Sequence, residues 1–140
     1  MSRAAVVFWS GTGNTEQMAN AVAEGAAAAG AEVELIRAGA FSADMVNDFD
    51  GIAFGCPSMG AEELEETEFE PMFASVENSL GGKKVALFGS WGWGGGAWME
   101  DWASRCESDG INLVCESVTC QEAPDDDALE RCRALGSAIA

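Results

Sequence analysis

The sequence predicts an α/β protein of the doubly wound type, built on a parallel sheet of five strands with helices on both faces. Apolar runs of strand length alternate with segments of helical period along the whole chain. The first run is apolar on both faces, as a strand covered by helices must be. Unusual loops follow the first, third and fourth strands. At 140 residues the chain fits one domain, residues 1–140, large enough to bury a core without disulfide staples.

Ala4 to Trp9 is a short apolar run and the first strand. Thr15 to Ala29 reads as a helix, with Met18, Ala19, Val22, Ala23 and Ala26 at helical spacing and Gly30 as its stop. Val33 to Arg37 is a second strand, and Ser42 to Val46 a short helix capped by Ser42. Ile52 to Cys56 forms the third strand, stopped by Pro57 and followed by a turn and an acidic run to Thr67. Phe69 to Asn78 is helical, Gly81 and Gly82 form a turn, and Val85 to Gly89 is the fourth strand. A loop from Ser90 to Gly96 leads into a helix from Ala97 to Ser108. Leu113 to Val118 is the fifth strand and Asp126 to Ile139 the last helix.

Composition narrows the function. Seven basic against 24 acidic residues give a net charge of −17, which excludes phosphate neutralisation on nucleic acid or adhesion to an anionic membrane. That charge suits steering toward basic partner surfaces and a monomeric state, and equally a surface kept acidic for solubility. No apolar run approaches the roughly 20 residues of a membrane span, and Met1 to Ala5 does not read as a signal peptide. The expectation is a cytoplasmic protein. Histidine is absent and the five cysteines form no C-x-x-C pair, so no metal site is expected. Cys115, at a strand position, is expected to be a buried thiol; Cys106 and Cys132 fall in helical patterns and read as structural.

In a doubly wound sheet, ligands bind beyond the carboxyl ends of the strands where strand order reverses. The loop Ser10-Gly11-Thr12-Gly13-Asn14-Thr15 combines close-approach glycines, hydroxyls and an amide at a helix start, an anion site for one phosphate. It lacks the lysine of a nucleoside-triphosphate loop and the G-x-G-x-x-G of a dinucleotide fold. Arg3 is the single cation in the first 30 residues, so neutral groups must hold the phosphate. A turn with a cap is the competing reading of this loop alone. After the third strand, Pro57-Ser58-Met59-Gly60-Ala61-Glu62 sets a polarizable Met beside a permissive Gly and a carboxylate able to accept from a ring N–H. Taken alone, it is also compatible with a turn before an acidic helix start. After the fourth, Ser90 to Trp98 sets indoles among glycines, which offer no packing; Trp91 and Trp93 are expected on a planar ligand, Trp98 and Trp102 in the core.

These loops together resemble those of flavodoxins, particularly the short-chain flavodoxins of anaerobic bacteria. The resemblance is carried by Trp9 through Glu16, Met59-Gly60 with Glu62, Ser90 through Trp98, and Glu122-Ala123-Pro124-Asp125. It implies the flavodoxin-like fold with strand order 2-1-3-4-5 and noncovalently bound FMN. By resemblance, Ser10, Thr12, Gly13, Asn14 and Thr15 bind the phosphate, Met59 lies on the inner flavin face and Trp93 stacks on the outer one. Glu62 bonds flavin N3, and the Gly60–Ala61 peptide turns its carbonyl toward N5 of the neutral semiquinone. Ser90, Trp91 and Gly92 line the cofactor, with Gln121 near the third loop. Gly11, Pro57, Ser58 and Gly94 complete the cofactor-binding set. The chain departs from the family pattern at Trp91, where tyrosine is usual, at Ala61, where some members carry Asp or Ser, and at Pro57, which replaces a Ser that contributes a donor in some members.

The implied function is a low-potential one-electron carrier, cycling FMN between oxidised, semiquinone and hydroquinone forms without substrate turnover of its own. Its partners would be redox enzymes with basic docking surfaces. Acidic surroundings favour a low potential. A carboxylate about 8 Å away at an effective dielectric of about 20 costs an anionic flavin about 2 kcal/mol, or roughly 80 mV for one electron before screening. The rival class, an FMN-dependent NAD(P)H reductase of quinones or nitro compounds, needs a second pocket, and the short loops leave little chain for one. A phosphorylated receiver domain shares the fold but needs acidic residues where Ser10-Gly11 and Pro57-Ser58 stand.

Overall fold

The computed structural model describes residues 2–11, 13–59, 63–92 and 96–140. Its elements follow the expected alternation: β1 (Arg3–Phe8), α1 (Asn14–Ala28), β2 (Glu32–Arg37), α2 (Ala43–Val46), β3 (Gly51–Gly55), α3 (Phe69–Val76), β4 (Lys84–Trp91), α4 (Ala97–Ser108), β5 (Val118–Gln121) and α5 (Asp126–Ile139). The five strands form one parallel sheet in the order β2-β1-β3-β4-β5.

Strand alternation divides the core into two layers. Ala4, Val6 and Phe8 of β1 face α1 and α5, where they meet Met18, Val22, Leu135 and Ile139. Ala5 and Val7 face the other way, with Ile52 and Phe54 of β3, onto Phe69 and Phe73 of α3 and Trp98 and Trp102 of α4. Phe73 meets Phe54 and Trp102 edge-on, with ring centroids 5.2 and 5.6 Å apart, a favourable geometry for π quadrupoles. The helices α1 and α5 pack almost backbone to backbone. A Cβ at Gly25 would stand 1.9 Å from the Arg133 carbonyl, and one at Gly136 would stand 1.9 Å from that of Val22. Only glycine fits at that crossing.

The helices α4 and α5 have the expected bounds, and their stops and caps explain it. Gly110, at φ 74°, lies just beyond α4, and the Asp125 carboxylate accepts the Ala128 N–H at 2.8 Å where α5 begins. Ser42 stands at the N-cap of α2 with extended backbone, but its side chain makes no cap bond. The expected helix through Asn78 tightens after Val76 into a 3-10 turn, Glu77–Ser79.

The sheet differs from expectation on its β4–β5 side. β4 continues to Trp91, because Ser90 and Trp91 pair with Cys120 and Gln121. The fifth strand does not run from Leu113 to Val118. Leu113 makes an isolated bridge to Val85, and regular pairing begins again at Val118 opposite Phe88. Three steps along β4 are thus matched by five along its neighbour, and the two surplus residues are expelled from the ladder as a bulge. Cys115 falls in this interruption. It is a half-buried thiol outside any strand, not the buried strand residue expected. Cys106 and Cys132 are fully buried, and burial pushes both thiols up to about 12.

The start of α3 is built around a buried carboxylate. Glu65, 4% exposed, accepts the N–H groups of Thr67 at 2.8 Å, Glu68 at 2.8 Å and Phe69 at 2.9 Å, together with the Thr67 hydroxyl. Burial alone would raise its carboxyl, but the Thr67 hydroxyl and the three N–H donors outweigh it and hold it below the usual range. A group depressed in the folded state stabilises the fold above its unfolded value, about 4.3, and loses that contribution as pH falls through its folded value. Glu65→Gln should therefore lower stability at pH 7 by about 1–3 kcal/mol and flatten the acid limb of stability against pH. Urea unfolding at a series of pH values checks both.

Candidate functional site

The loops at the carboxyl end of the sheet hang from their neighbours by backbone bonds that continue the ladder past the strands. Trp9 N–H donates to the Gly55 carbonyl at 3.0 Å, Cys56 N–H to Phe88 at 3.1 Å and Ser58 N–H to Ser90 at 3.0 Å. Glu122 N–H donates to the Trp91 carbonyl at 2.8 Å. Between these loops lies a cleft of about 320 Å³, lined by Trp9, Ser10, Gly11, Asn14, Thr15, Pro57, Ser58, Met59, Ser90, Trp91, Gly92 and Glu122.

One end of the cleft is the start of α1. Gly13 precedes the helix at φ 97°, a left-handed conformation that other residues resist. The Ser10 hydroxyl oxygen accepts the N–H groups of Gly13 at 3.1 Å and Glu16 at 3.3 Å, which folds the loop over the helix start. Among the described residues, no acceptor takes the N–H groups of Asn14 and Thr15. Thr15 is buried, and its hydroxyl shares a hydrogen bond at 3.4 Å with that of Ser90 from the end of β4. Donors and the positive end of the helix dipole therefore converge here, and the chemistry suits one phosphate.

The rest of the lining includes several apolar side chains. Pro57, Met59, which is 37% exposed, and half-buried Trp91 all belong to its lining. No lysine or arginine lines the cleft among the described residues, whereas Glu122 does. Arg37 is held outside, 3.6 Å from the Glu16 carboxylate and 5.3 Å from the centre of the Phe8 ring.

Of the sequence-predicted residues, Ser10, Gly11, Asn14, Thr15, Pro57, Ser58, Met59, Ser90, Trp91 and Gly92 come together in this cleft, and Gly13 stands at the helix start beside it. Thr12, Gly60, Ala61, Glu62, Trp93 and Gly94 lie outside the described residues. Gln121 is exposed and pairs with Trp91; the next residue, Glu122, lines the cleft. Trp98 and Trp102 are core residues, as expected. Sequence reasoning passed over Trp9 and Glu122 as lining residues. Trp9 read as a strand end, yet its indole lies across Gly11, where a Cβ would meet the ring at 3.0 Å, and its Nε1 donates to Glu68 at 3.2 Å. The available signal for Trp9 was a tryptophan directly before a glycine-rich turn.

An anion site at the start of α1, apolar side chains beside it and a sheet ordered 2-1-3-4-5 suit a nucleotide-binding protein of the doubly wound class. The flavodoxin family profile matches residues 6–136. A flavodoxin of Megasphaera elsdenii is 46% identical over 135 residues, 96% of each chain. One of Clostridium beijerinckii is 42% identical over 135 residues, covering 96% of this chain and 97% of its own. The solution structure of the two-electron reduced Megasphaera elsdenii flavodoxin matches with a TM-score of 0.89 over 97% of both chains. A flavodoxin from the Archaea, 28% identical, matches at 0.85 over 99% of this chain and 96% of its own. The chain belongs to the flavodoxin family: it is an FMN-binding electron carrier, with no substrate turnover of its own.

The residues present fit that cofactor. Neutral donors converge at one end of the cleft, and apolar side chains that can cover a planar ring stand beside them. Ser10→Ala removes the acceptor shared by Gly13 and Glu16. It should cost the apo chain about 1 kcal/mol, read as a lower denaturation midpoint, and should also weaken binding of inorganic phosphate measured by calorimetry.

Proposed function

We propose that this chain is a low-potential one-electron carrier that shuttles electrons between redox enzymes, with FMN seated in the cleft at the carboxyl end of the sheet. The observation that carries the reading is a phosphate-sized donor site with no lysine or arginine around the cleft among the described residues. Ser10, Thr12, Gly13, Asn14 and Thr15 take the phosphate, with Gly11 allowing close approach. Pro57, Ser58, Met59, Ser90, Trp91 and Gly92 bound the ring, with Gly60, Ala61, Glu62, Trp93 and Gly94 on the two adjoining loops and Gln121 beside the third. Bound FMN supplies the redox chemistry. The chain supplies orientation, shields the ring edge from water and sets the field around it. With neutral phosphate donors and Glu122 in the lining, that field opposes added negative charge, so electrons leave readily.

The carrier is read as a cytoplasmic monomer whose acidic surface docks on basic surfaces of its donor and acceptor enzymes. The net charge of −17 supports this by steering encounter, and the docking rate should then fall steeply with salt. No helix among the described residues is long and apolar enough to cross a membrane.

Purified chain mixed with FMN should turn the flavin spectrum into that of a bound form at one equivalent. Stepwise reduction with dithionite should then pass through a distinct one-electron stage. A single two-electron transition, or steady NAD(P)H oxidation by the pure protein, would count against the carrier. Trp93→Ala should weaken FMN binding about 10- to 100-fold, from about 1–3 kcal/mol of stacking, and should raise the potential of the second electron. An unchanged potential would remove Trp93 from the ring.

A further inference from the structure

Trp9 stands in the lining of the cleft and is held there by a residue from outside it. Its backbone N–H donates to the Gly55 carbonyl at 3.0 Å, and its side chain packs against the buried cluster that includes Phe54 and Phe69. The six-membered half of the indole lies over Gly11, where a Cβ would stand 3.0 Å from Cη2 and 3.2 Å from Cζ3. The other half reaches Glu68, with Nε1 donating to the carboxylate at 3.2 Å. Packing alone does not fix the ring, because Trp9 also borders a space of about 190 Å³ shared with Arg37, Gly39 and Glu68. Glu68 is itself set from two sides. Its N–H donates to the buried Glu65 carboxylate at 2.8 Å, and its Oε2 fills the space beside Gly39, where a Cβ would stand 2.5 Å away. Gly11 is a residue that needs such a neighbour. It lines the cleft, glycine carries the greatest backbone freedom, and among the described residues no acceptor takes its N–H.

We propose that Trp9 is a positioning residue for the phosphate: its indole, pinned by Glu68, holds Gly11 in the conformation that receives the anion. The proposal rests on the reading that the FMN phosphate is bound at the start of α1. The cleft has no lysine or arginine among the described residues, so dipoles alone draw the anion there. Dipoles bind well only when their direction is set before the ligand arrives. A ring across Gly11 limits the conformations of the residue with most to lose on ordering. It also keeps water off that stretch of backbone, which strengthens the hydrogen bonds made there. Glu68 does not line the cleft and acts through the indole.

The test compares the full chain with Glu68→Ala, Glu68→Gln and Gly39→Ala. Inorganic phosphate is titrated into each apo chain by calorimetry, and FMN and riboflavin, which lacks the phosphate, by fluorescence. Glu68→Ala and Glu68→Gln lose the same charge, but only Gln keeps an acceptor for Nε1 of Trp9. Glu68→Ala should therefore bind phosphate and FMN about tenfold more weakly than Glu68→Gln, about 1.4 kcal/mol and the scale of ordering one backbone residue. Riboflavin should bind both variants alike. Gly39→Ala crowds the Glu68 carboxylate from outside the cleft and should weaken phosphate and FMN relative to the parent. The Trp9 indole N–H, assigned by its loss in Trp9→Phe, should exchange faster in Glu68→Ala than in Glu68→Gln. Equal phosphate affinity in the two Glu68 variants would overturn the proposal. A loss of riboflavin affinity as large as that of FMN would overturn it too, by moving the role of Trp9 to the ring. Should Glu68→Ala fail to fold, Gly39→Ala decides, and a faster-exchanging indole N–H with unchanged phosphate affinity there overturns the proposal. A parent chain that binds phosphate but not FMN would instead defeat the functional reading, while the phosphate titrations still judge Trp9.

Discussion

The cleft exists because the backbone ladder does not stop where the strands do. Beyond β1, β3 and β5, the first residues of each loop still donate to a carbonyl of the neighbouring strand: Trp9 to Gly55, Cys56 to Phe88, Ser58 to Ser90 and Glu122 to Trp91. Loops that would otherwise move freely inherit the geometry of a sheet buried on both faces. A binding group set on such an extension loses little entropy when a ligand arrives. The bond between Thr15 and Ser90 joins α1 to β4 in the same way, within the lining of the cleft.

Charge is arranged with similar economy. The chain carries far more carboxylates than cations, yet the few guanidinium groups are spent away from the cleft. Arg105 chelates Glu70 and Glu77 at 2.7–2.9 Å and covers the Phe73 ring, which ties α4 to α3. The Glu77 carboxyl is held low by the hydrogen bonds from Arg105. Among the described residues, the anion site is left to hydroxyls, backbone N–H groups and a helix dipole. Such a site binds a phosphate without cancelling the negative field around whatever the phosphate carries.

Local signals were enough for much of the fold. Apolar period and turn residues suffice for the five α-helices, and α4 and α5 have the expected bounds. What the sequence hid was set by pairing between distant residues. β4 reaches Trp91 only because Cys120 and Gln121 are there to pair with it, and the fifth strand breaks because two more residues lie on its side than the ladder can use. Nothing in Leu113 to Val118 taken alone announces that mismatch. In the cleft, the glycine-rich turn was legible because its chemistry is concentrated in consecutive residues. Glu122 was not, since it faces the cleft through a left-handed backbone at φ 57° that its residue type does not advertise. Nor is the hydrogen bond from the Glu65 N–H to the buried Cys56 sulfur legible, because it joins residues on the two sides of a loop.

The interruption before β5 has a consequence for how the molecule behaves among copies of itself. A parallel sheet with open edges offers rows of unpaired backbone groups to any passing strand. On this side the edge strand is only four residues long and is preceded by two expelled residues, so a foreign strand finds no straight run to extend. On the other side β2 presents Glu32, Glu34 and Arg37 to solvent, with Leu35 exposed between them. The interruption thus makes the β5 edge the poorer of the two templates for edge-to-edge pairing.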